Sequence, residues 1–320
     1  MSSTSTSLAS PPPPPSSSQT TQYDQIGLSY ESMKRIPGAA LERNNLRATI
    51  VPYLTLPPRP GDGPGGRGAA VLDLACGTGY YSRLLFEWAS PRRVVGVDIS
   101  PAMVAAAERS AADLEAFRQG RLTFAVGDAT QPLPPTAATF SDDDGSSSPS
   151  SGSAPGPLFD VVLGAWLLNY ASSTTEMARM FANVAAALRP GGHFVAITPH
   201  PAADLDEFAA FHGTAAAQAE MRRFGVSIAY RTPPLASGEG FRTRVTAHVQ
   251  PQEITFDNFH LRRHVYEDAA RRGGMQGEWK WVPVRLPGSD EESRAQYGVG
   301  IEYWEGCVER PHFGILVVEK

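Results

Sequence analysis

Residues 71–85 read VLDLACGTGYYSRLL, and the order of apolar run, glycine-rich turn and helix in this stretch decides the fold class. Ala69–Leu74 is a short apolar run that predicts a strand. The turn follows at Gly77 and Gly79, and Leu84, Leu85 and Trp88 mark the buried side of the next helix. Arg93–Val97 repeats the strand signal and ends at Asp98. A helix must follow, because Ser100 suits an N-cap and Pro101 the first helical position. Its stripe is Val104, Ala107, Ala111 and Leu114, and Gly120 ends it. Leu122–Val126, Phe159–Leu163 and His193–Thr198 give strands three to five. Between the last two, Met177, Met180, Phe181, Val184 and Leu188 share a helix face that stops at Pro190-Gly191-Gly192. Strands alternating with helices imply a parallel sheet with right-handed crossovers. Such strands read as solid apolar runs because helices cover both faces.

Upstream, Ser29–Tyr53 predicts helices broken at Pro37, with Leu41, Leu46 and Ile50 inward, and Pro57–Gly68 is a Pro/Gly-rich linker. Downstream of His200 the rhythm changes. One polar, Ala-rich helix over about Asp204–Phe224 precedes β-like stretches at Val226–Tyr230, Phe241–Val249 and Glu253–Phe259. Helix–strand alternation then resumes with Val265–Gly273, Glu278–Leu286 and Phe313–Val318. The expected architecture is α/β: a Rossmann-like, seven-stranded, mostly parallel sheet with helices on both faces and a β-rich cap inserted after strand five. The domain should run over 21–320, with a substrate cap at about 201–262. A Ser/Pro-rich tail, 1–20, carries five consecutive prolines, and 136–157 is rich in Ser, Gly, Pro and acids. Neither can bury enough apolar surface to order itself, so both are expected to be disordered.

The chain has 320 residues, 42% of them hydrophobic, and a net charge of −5 with a pI near 5.8. Nucleic-acid binding ordinarily needs a basic footprint, so that partner class is disfavoured. Two cysteines, Cys76 and Cys307, make neither a disulfide framework nor a ligand cluster. His260 and His264 stand four apart, but Leu261 follows where a zinc-protease helix carries Glu, so the pair reads as solvated and no metal is expected. With no secretory-signal pattern and no apolar run near a membrane span, a cytoplasmic protein without membrane contact is expected.

Glycines at the turn let backbone N–H groups approach a polar ligand at a helix N-terminus. Asp98 lies 21 positions beyond Gly77, a spacing that suits a carboxylate holding both hydroxyls of a ribose. Two details argue against a dinucleotide. Ser82 stands where the third glycine of G-x-G-x-x-G belongs, and Asp73 puts an acid inside the first strand, where it could face a cofactor ammonium group. Gly127-Asp128-Ala129 adds a polar contact after strand three. In order, VLDLACGTGYYSRLL, VVGVDISPAMV, FAVGDA, FDVVLGAWLLNY and LRPGGHFVAIT resemble the successive motifs of class I S-adenosylmethionine (SAM)-dependent methyltransferases. The local likeness is to small-molecule enzymes of the toxoflavin-synthase-like and trans-aconitate-methyltransferase-like kind, often in microbial secondary metabolism.

That resemblance implies SAM as cofactor and S-adenosylhomocysteine as product. By position, Asp73, Ala75, Cys76, Gly77, Thr78 and Gly79 would line the methionine end. Asp98 would hold the ribose, with Ile99 and Met103 on the adenine and Gly127, Asp128 and Ala129 bordering the base. Ala165 and Trp166 would flank the sulfonium, and Tyr23 and Tyr30 would close over the cofactor. The implied reaction is metal-free, in-line transfer to an oxygen (carboxylate or hydroxyl) or nitrogen of a small metabolite. It depends on positioning and exclusion of water, with a base needed only for a protonated acceptor. His200, Tyr170 and Asn169 follow strands at the reacting face and are the catalytic candidates. Arg242 or Arg244 could clamp a carboxylate, although solvated arginines alternating along a strand fit better, and Tyr297, Tyr303 and Trp304 are further pocket candidates with packing as the default role. Two other readings stand beside this one: a SAM-binding protein that transfers nothing, and a nicotinamide-dependent oxidoreductase.

Overall fold

Alternate residues of the central strands face opposite ways, and each set has its own helices to pack on. The computed structural model describes residues 26–56, 67–133, 159–307 and 309–320; Tyr23, the tail 1–20 and the loop 136–157 lie outside them. The strands of the main sheet are β3 (Ala70–Leu74), β4 (Arg93–Asp98), β5 (Leu122–Val126), β6 (Phe159–Ala165), β7 (Leu188–Pro199), β11 (Trp279–Val282) and β12 (Phe313–Glu319). Two short strands, β1 (Thr55–Leu56) and β2 (Arg67–Gly68), pair with each other.

The seven-stranded sheet has the order β11-β12-β7-β6-β3-β4-β5. The pairs β3–β4, β3–β6, β4–β5 and β6–β7 are parallel, whereas β12 is antiparallel to both β7 and β11. Strand order therefore reverses beside β3, between β4 on one side and β6 on the other. In open α/β sheets that reversal opens a crevice at the carboxyl ends of the strands.

One sheet face carries Leu72, Leu74, Val95, Val162 and Phe194. It packs on α5 (Thr174–Ala187), through Met177, Phe181 and Val184, and on α8 (Arg263–Arg272), through Val265, Tyr266 and Ala269. The other face carries Val71, Val94, Leu163 and Ile197. It meets α1 (Pro37–Leu54), through Leu41, Leu46 and Ile50, and α2 (Tyr80–Trp88), through Leu85. Each such aliphatic side chain contributes roughly 1.5–3 kcal/mol by leaving water. The helix after β4, α3 (Pro101–Ala111), begins as the punctuation required: Ser100 accepts the Met103 N–H at 3.2 Å. A short α4 (Glu115–Arg118) leads into β5.

The block inserted between β7 and α8 contains α6 (Leu205–His212), α7 (Ala215–Arg223) and an antiparallel sheet of β8 (Val226–Tyr230), β9 (Gly240–Ala247) and β10 (Ile254–Leu261) in the order β10-β9-β8. The expected single helix over Asp204–Phe224 is two helices, because Gly213 ends the first and Thr214 caps the second by accepting the Ala217 N–H. Helix α5 ends at Ala187, not at Pro190-Gly191-Gly192, which lies within β7. Beyond β11 a helix, α9 (Asp290–Tyr297), lies between the last two strands, where the sequence reading assigned no element.

Candidate active site

The carboxyl ends of β3, β4, β5 and β6 surround a cavity of about 1050 Å³ measured to its open mouth. Residues expected there from the sequence converge: Tyr30, Ala75, Cys76, Gly77, Thr78, Asp98, Ile99, Met103, Gly127, Asp128, Ala129, Ala165, Trp166 and Tyr170 all line it. Lys34, Tyr80, Tyr81, Glu176 and Met180 line it too, and sequence reasoning missed them. Asp73 and Gly79 do not line it, and Tyr23 lies outside the described residues. Ala75 (φ +59°) and Trp166 (φ +65°) are the non-glycine residues with left-handed backbone among those described. Both sit directly after a central strand at the cavity wall, where such strain is tolerated because the surrounding structure fixes it.

The glycine-rich turn is wired internally. Cys76 N–H donates to Val97 O at 3.1 Å, Gly79 N–H to Cys76 O at 2.9 Å, and Gly77 N–H to the Asp98 carboxylate at 2.8 Å. The other Asp98 oxygen accepts Ser100 N–H at 2.9 Å. These three amides are thus not the open anion cradle expected from the glycines. Gly79, with φ +70°, serves close packing instead, since a Cβ there would lie 2.7 Å from the Phe124 ring. Asp73 is almost fully buried and accepts the Ser82 hydroxyl at 2.5 Å. Burial, aided by the nearby Asp98 charge and opposed by the Ser82 hydrogen bond, pushes the Asp73 carboxyl up to about 7. Ser82, at the missing third-glycine position, is therefore the partner of Asp73.

The residues fit a SAM-like cofactor better than a dinucleotide. The Thr78 hydroxyl and the Tyr81 phenol, both on the cavity wall, are buried without a hydrogen-bond partner. An unpaired buried polar atom costs about 1–3 kcal/mol, which a polar ligand recovers. Asp98 and Asp128 give the wall negative charge, hostile to a diphosphate. The rings of Tyr30, Tyr80 and Tyr81 hold the Lys34 ammonium at 5.3, 5.5 and 5.0 Å from their centres, so this corner already accommodates a cation.

A second cavity, about 700 Å³, shares Tyr30, Lys34, Trp166 and Tyr170 with the first. Its far wall is the inserted sheet, through Val226, Ile228, Thr243, Val245, Phe256, Asn258 and His260. Thr243 donates a short hydrogen bond to Asn258. Asn169 also lines this cavity. It is 1% exposed, and neither its amide nitrogen nor its amide oxygen has a partner. On the near wall, Glu42 accepts His312 Nε2–H at 2.9 Å and Trp166 Nε1–H at 3.1 Å. Burial alone would raise the Glu42 carboxyl, but the bond and charge of His312, with Lys34 and Trp166, hold it below its usual range.

The histidines fall differently from the sequence expectation. His200 lines neither cavity; its ring stacks on Phe208 at 5.3 Å, and burial pushes it down to about 4. His260 is buried rather than solvated, and burial takes it to about 3. Its Nε2 donates to His200 O at 2.7 Å, so the neutral ring accepts the Tyr230 hydroxyl at Nδ1, 2.8 Å away. His264 is exposed, on α8. Among the described residues no three of His, Cys, Asp or Glu converge as a metal-binding group.

The arginines and late aromatics also lie apart. Arg244 pairs with Asp257 on an exposed face and Arg242 lies over Phe259. Tyr297 and Tyr303 pack around the buried Trp304, away from both cavities.

Residues 72–194, from β3 into β7, match the family model described as a methyltransferase domain. No curated protein matches the chain. Among solved structures it is similar to an S-adenosylmethionine-dependent methyltransferase from Mesorhizobium loti, with 20% identity over 79% of this chain and 92% of that one and a TM-score of 0.45. It is also similar to the sugar N-methyltransferase KedS8 from Streptoalloteichus, with 20% identity over 100% and 98% and a TM-score of 0.46. A third is SAM-bound CalS10, an amino pentose methyltransferase from Micromonospora echinaspora, with 16% identity over 91% and 94% and a TM-score of 0.44. The matched segment, 72–194, is the one that builds the crevice: the carboxyl end of β3, the glycine-rich turn, β4, β5 and β6 all fall inside it.

Proposed function

We propose that the chain methylates an oxygen or nitrogen of a small, largely apolar and uncharged metabolite held in the second cavity. The observation that carries this reading is the junction of the two cavities at Tyr30, Lys34, Trp166 and Tyr170, with the unpaired amide of Asn169 on the acceptor side. Bound SAM supplies an electrophilic methyl group on a sulfonium. In this reading Asp98, fixed by two backbone N–H donors, accepts the ribose hydroxyls. Ile99 and Met103 pack on the adenine, Gly127, Asp128 and Ala129 border it, and Ala75, Cys76, Gly77 and Thr78 line the methionine end. Ala165 and Trp166 flank the reacting centre, beneath Tyr30.

The inserted residues of about 201–262 act as the substrate cap. Apolar Ile36, Val226, Val245 and Phe256 exclude water, and Asn169 donates to and accepts from the acceptor. No arginine among the described residues lines either cavity, which argues against a carboxylate acceptor. His200, away from both cavities, takes no part in this reading. The experiment is incubation of purified chain with methyl-labelled SAM and a panel of phenols, amines and carboxylic acids, read by mass spectrometry. Label on an uncharged hydroxyl or amine supports the reading, and label confined to carboxylates contradicts it.

A further inference from the structure

Glu42 and His312 lie 270 positions apart, yet they meet in a buried pair beside the shared wall of the two cavities. A carboxylate oxygen only accepts, so His312 Nε2 carries the hydrogen in this bond and the neutral ring keeps its lone pair on Nδ1. Among the described residues Nδ1 has no hydrogen bond, and the ring lines the acceptor cavity. The Trp166 indole lies parallel to the ring, 8° between planes and 6.5 Å between centres, and donates to the second Glu42 oxygen. Both carboxylate oxygens are thus held, and the imidazole is fixed in one tautomer. This is the arrangement by which a carboxylate orients a histidine base and stabilises the imidazolium it becomes.

We propose that His312 is the general base of the reaction, with Glu42 as its positioning residue, and that the acceptor is a neutral, weakly acidic ring hydroxyl, a phenol or enol. This rests on the methyltransferase reading above. The acceptor proton passes to the lone pair of His312 Nδ1, and the electron pair of the broken O–H bond is left on oxygen to bond the methyl carbon as the methyl–sulfur bond breaks and its pair stays on sulfur. The imidazolium then returns its proton to water. Charged and titratable groups around the ring are Glu42 and Lys34 on the cofactor side, His200 and His212 from the cap side, and Glu220, Glu309 and Arg310 along the cavity on its other flank. Of these, only Glu42 is bonded to the imidazole.

The test uses the full chain, methyl-labelled SAM and two phenols: 4-methylphenol, un-ionised at the assay pH, and 4-nitrophenol, largely ionised there. The wild type is expected to methylate both. His312→Gln is expected to lose about 100-fold or more in kcat on 4-methylphenol but only a few-fold on 4-nitrophenol, which arrives without its proton. Glu42→Gln should show the same selectivity to a smaller degree. Calorimetric SAM affinity and melting temperature measured alongside identify a folding defect, which lowers both rates equally. Equal losses on the two phenols, or no loss on either, overturns the base assignment. A wild-type chain that binds SAM yet methylates neither phenol overturns the acceptor class while leaving the methyltransferase reading intact. A chain that does not bind SAM removes both.

Discussion

The Asp98 carboxylate accepts the Gly77 N–H at 2.8 Å, tying the end of β4 to the turn after β3. Its second oxygen accepts Ser100 N–H at 2.9 Å. Two backbone donors fix the carboxylate before any ligand arrives, so little ordering remains to be done on binding. Asp98→Ala removes both the turn's anchor and the ribose acceptor proposed here. SAM affinity should fall by on the order of 100-fold, a loss of about 3 kcal/mol, in line with charge-assisted bonds of this kind. Asp98→Asn, which keeps one acceptor oxygen, should lose less. Isothermal calorimetry checks the order of the two.

Asn169 presents a donor and an acceptor without partners at the wall of the second cavity. If it holds the acceptor, Asn169→Ala raises the acceptor KM at least several-fold and leaves the SAM dissociation constant within about twofold, since one neutral hydrogen bond contributes roughly 0.5–1.5 kcal/mol. Steady-state kinetics with each substrate varied in turn separate the two effects. A weakened SAM affinity with unchanged acceptor KM would move Asn169 to the cofactor site.

The cap's buried histidines make the fold acid-sensitive. Burial depresses His260 to about 3, His200 to about 4, and His212 below its usual 6.5. A depressed folded-state value means that the unfolded chain takes up protons first. The stability from these neutral rings is therefore complete above pH 6.5 and is lost as pH falls toward 4 and then 3. Asp73, raised to about 7 from 3.8, works in the opposite sense: its contribution is complete below 3.8 and lost as pH rises through 7. Three histidines outweigh one carboxyl, so the melting temperature should drop between pH 6.5 and 5. His260→Gln keeps a donor for His200 O and an acceptor for Tyr230, and it should flatten that slope. A melting temperature that rises on acidification, or an unchanged slope in the variant, would contradict this.

Gly96 on β4 sits against the ring that also limits Gly79. A Cβ at Gly96 would meet Phe124 carbons at 2.5 and 2.8 Å and Cys76 Sγ at 3.0 Å. Gly96→Ala should cost about 1–3 kcal/mol by overpacking, seen as a lower denaturation midpoint. Gly96→Ala with Phe124→Leu should recover part of it. A neutral single substitution would mean that Phe124 can move aside.

The sheet was legible because its inner strands are buried on both faces and leave solid apolar runs, so β4 begins at Arg93 and ends at Asp98 as read. The first crevice was legible for a related reason: its lining residues follow directly after strands, and the separations 75–78, 98–103 and 127–129 are local. The second cavity was legible only at Asn169 and at Tyr30, Trp166 and Tyr170, which it shares with the first. Glu42, Asn258 and His312 come from three further, distant segments that only the topology brings together. His260 looked solvated because no carboxylate or cysteine at a matching offset made the pair a metal site, whereas it lies within β10, bonded to Tyr230 and His200, and His264 lies on α8. The cap helix over 204–224 read as continuous because Gly213 interrupts an Ala-rich composition that hides the break. Among the described residues no helix is long and apolar enough to cross a membrane.

The most direct test of the central claim is calorimetric titration of the intact chain with SAM and, separately, with NADH. The account predicts saturable, one-to-one binding of SAM that Asp98→Ala weakens strongly, and no heat from NADH, because the turn amides that would cradle its diphosphate are already bonded. NADH binding without SAM binding, or SAM binding indifferent to Asp98, would contradict it.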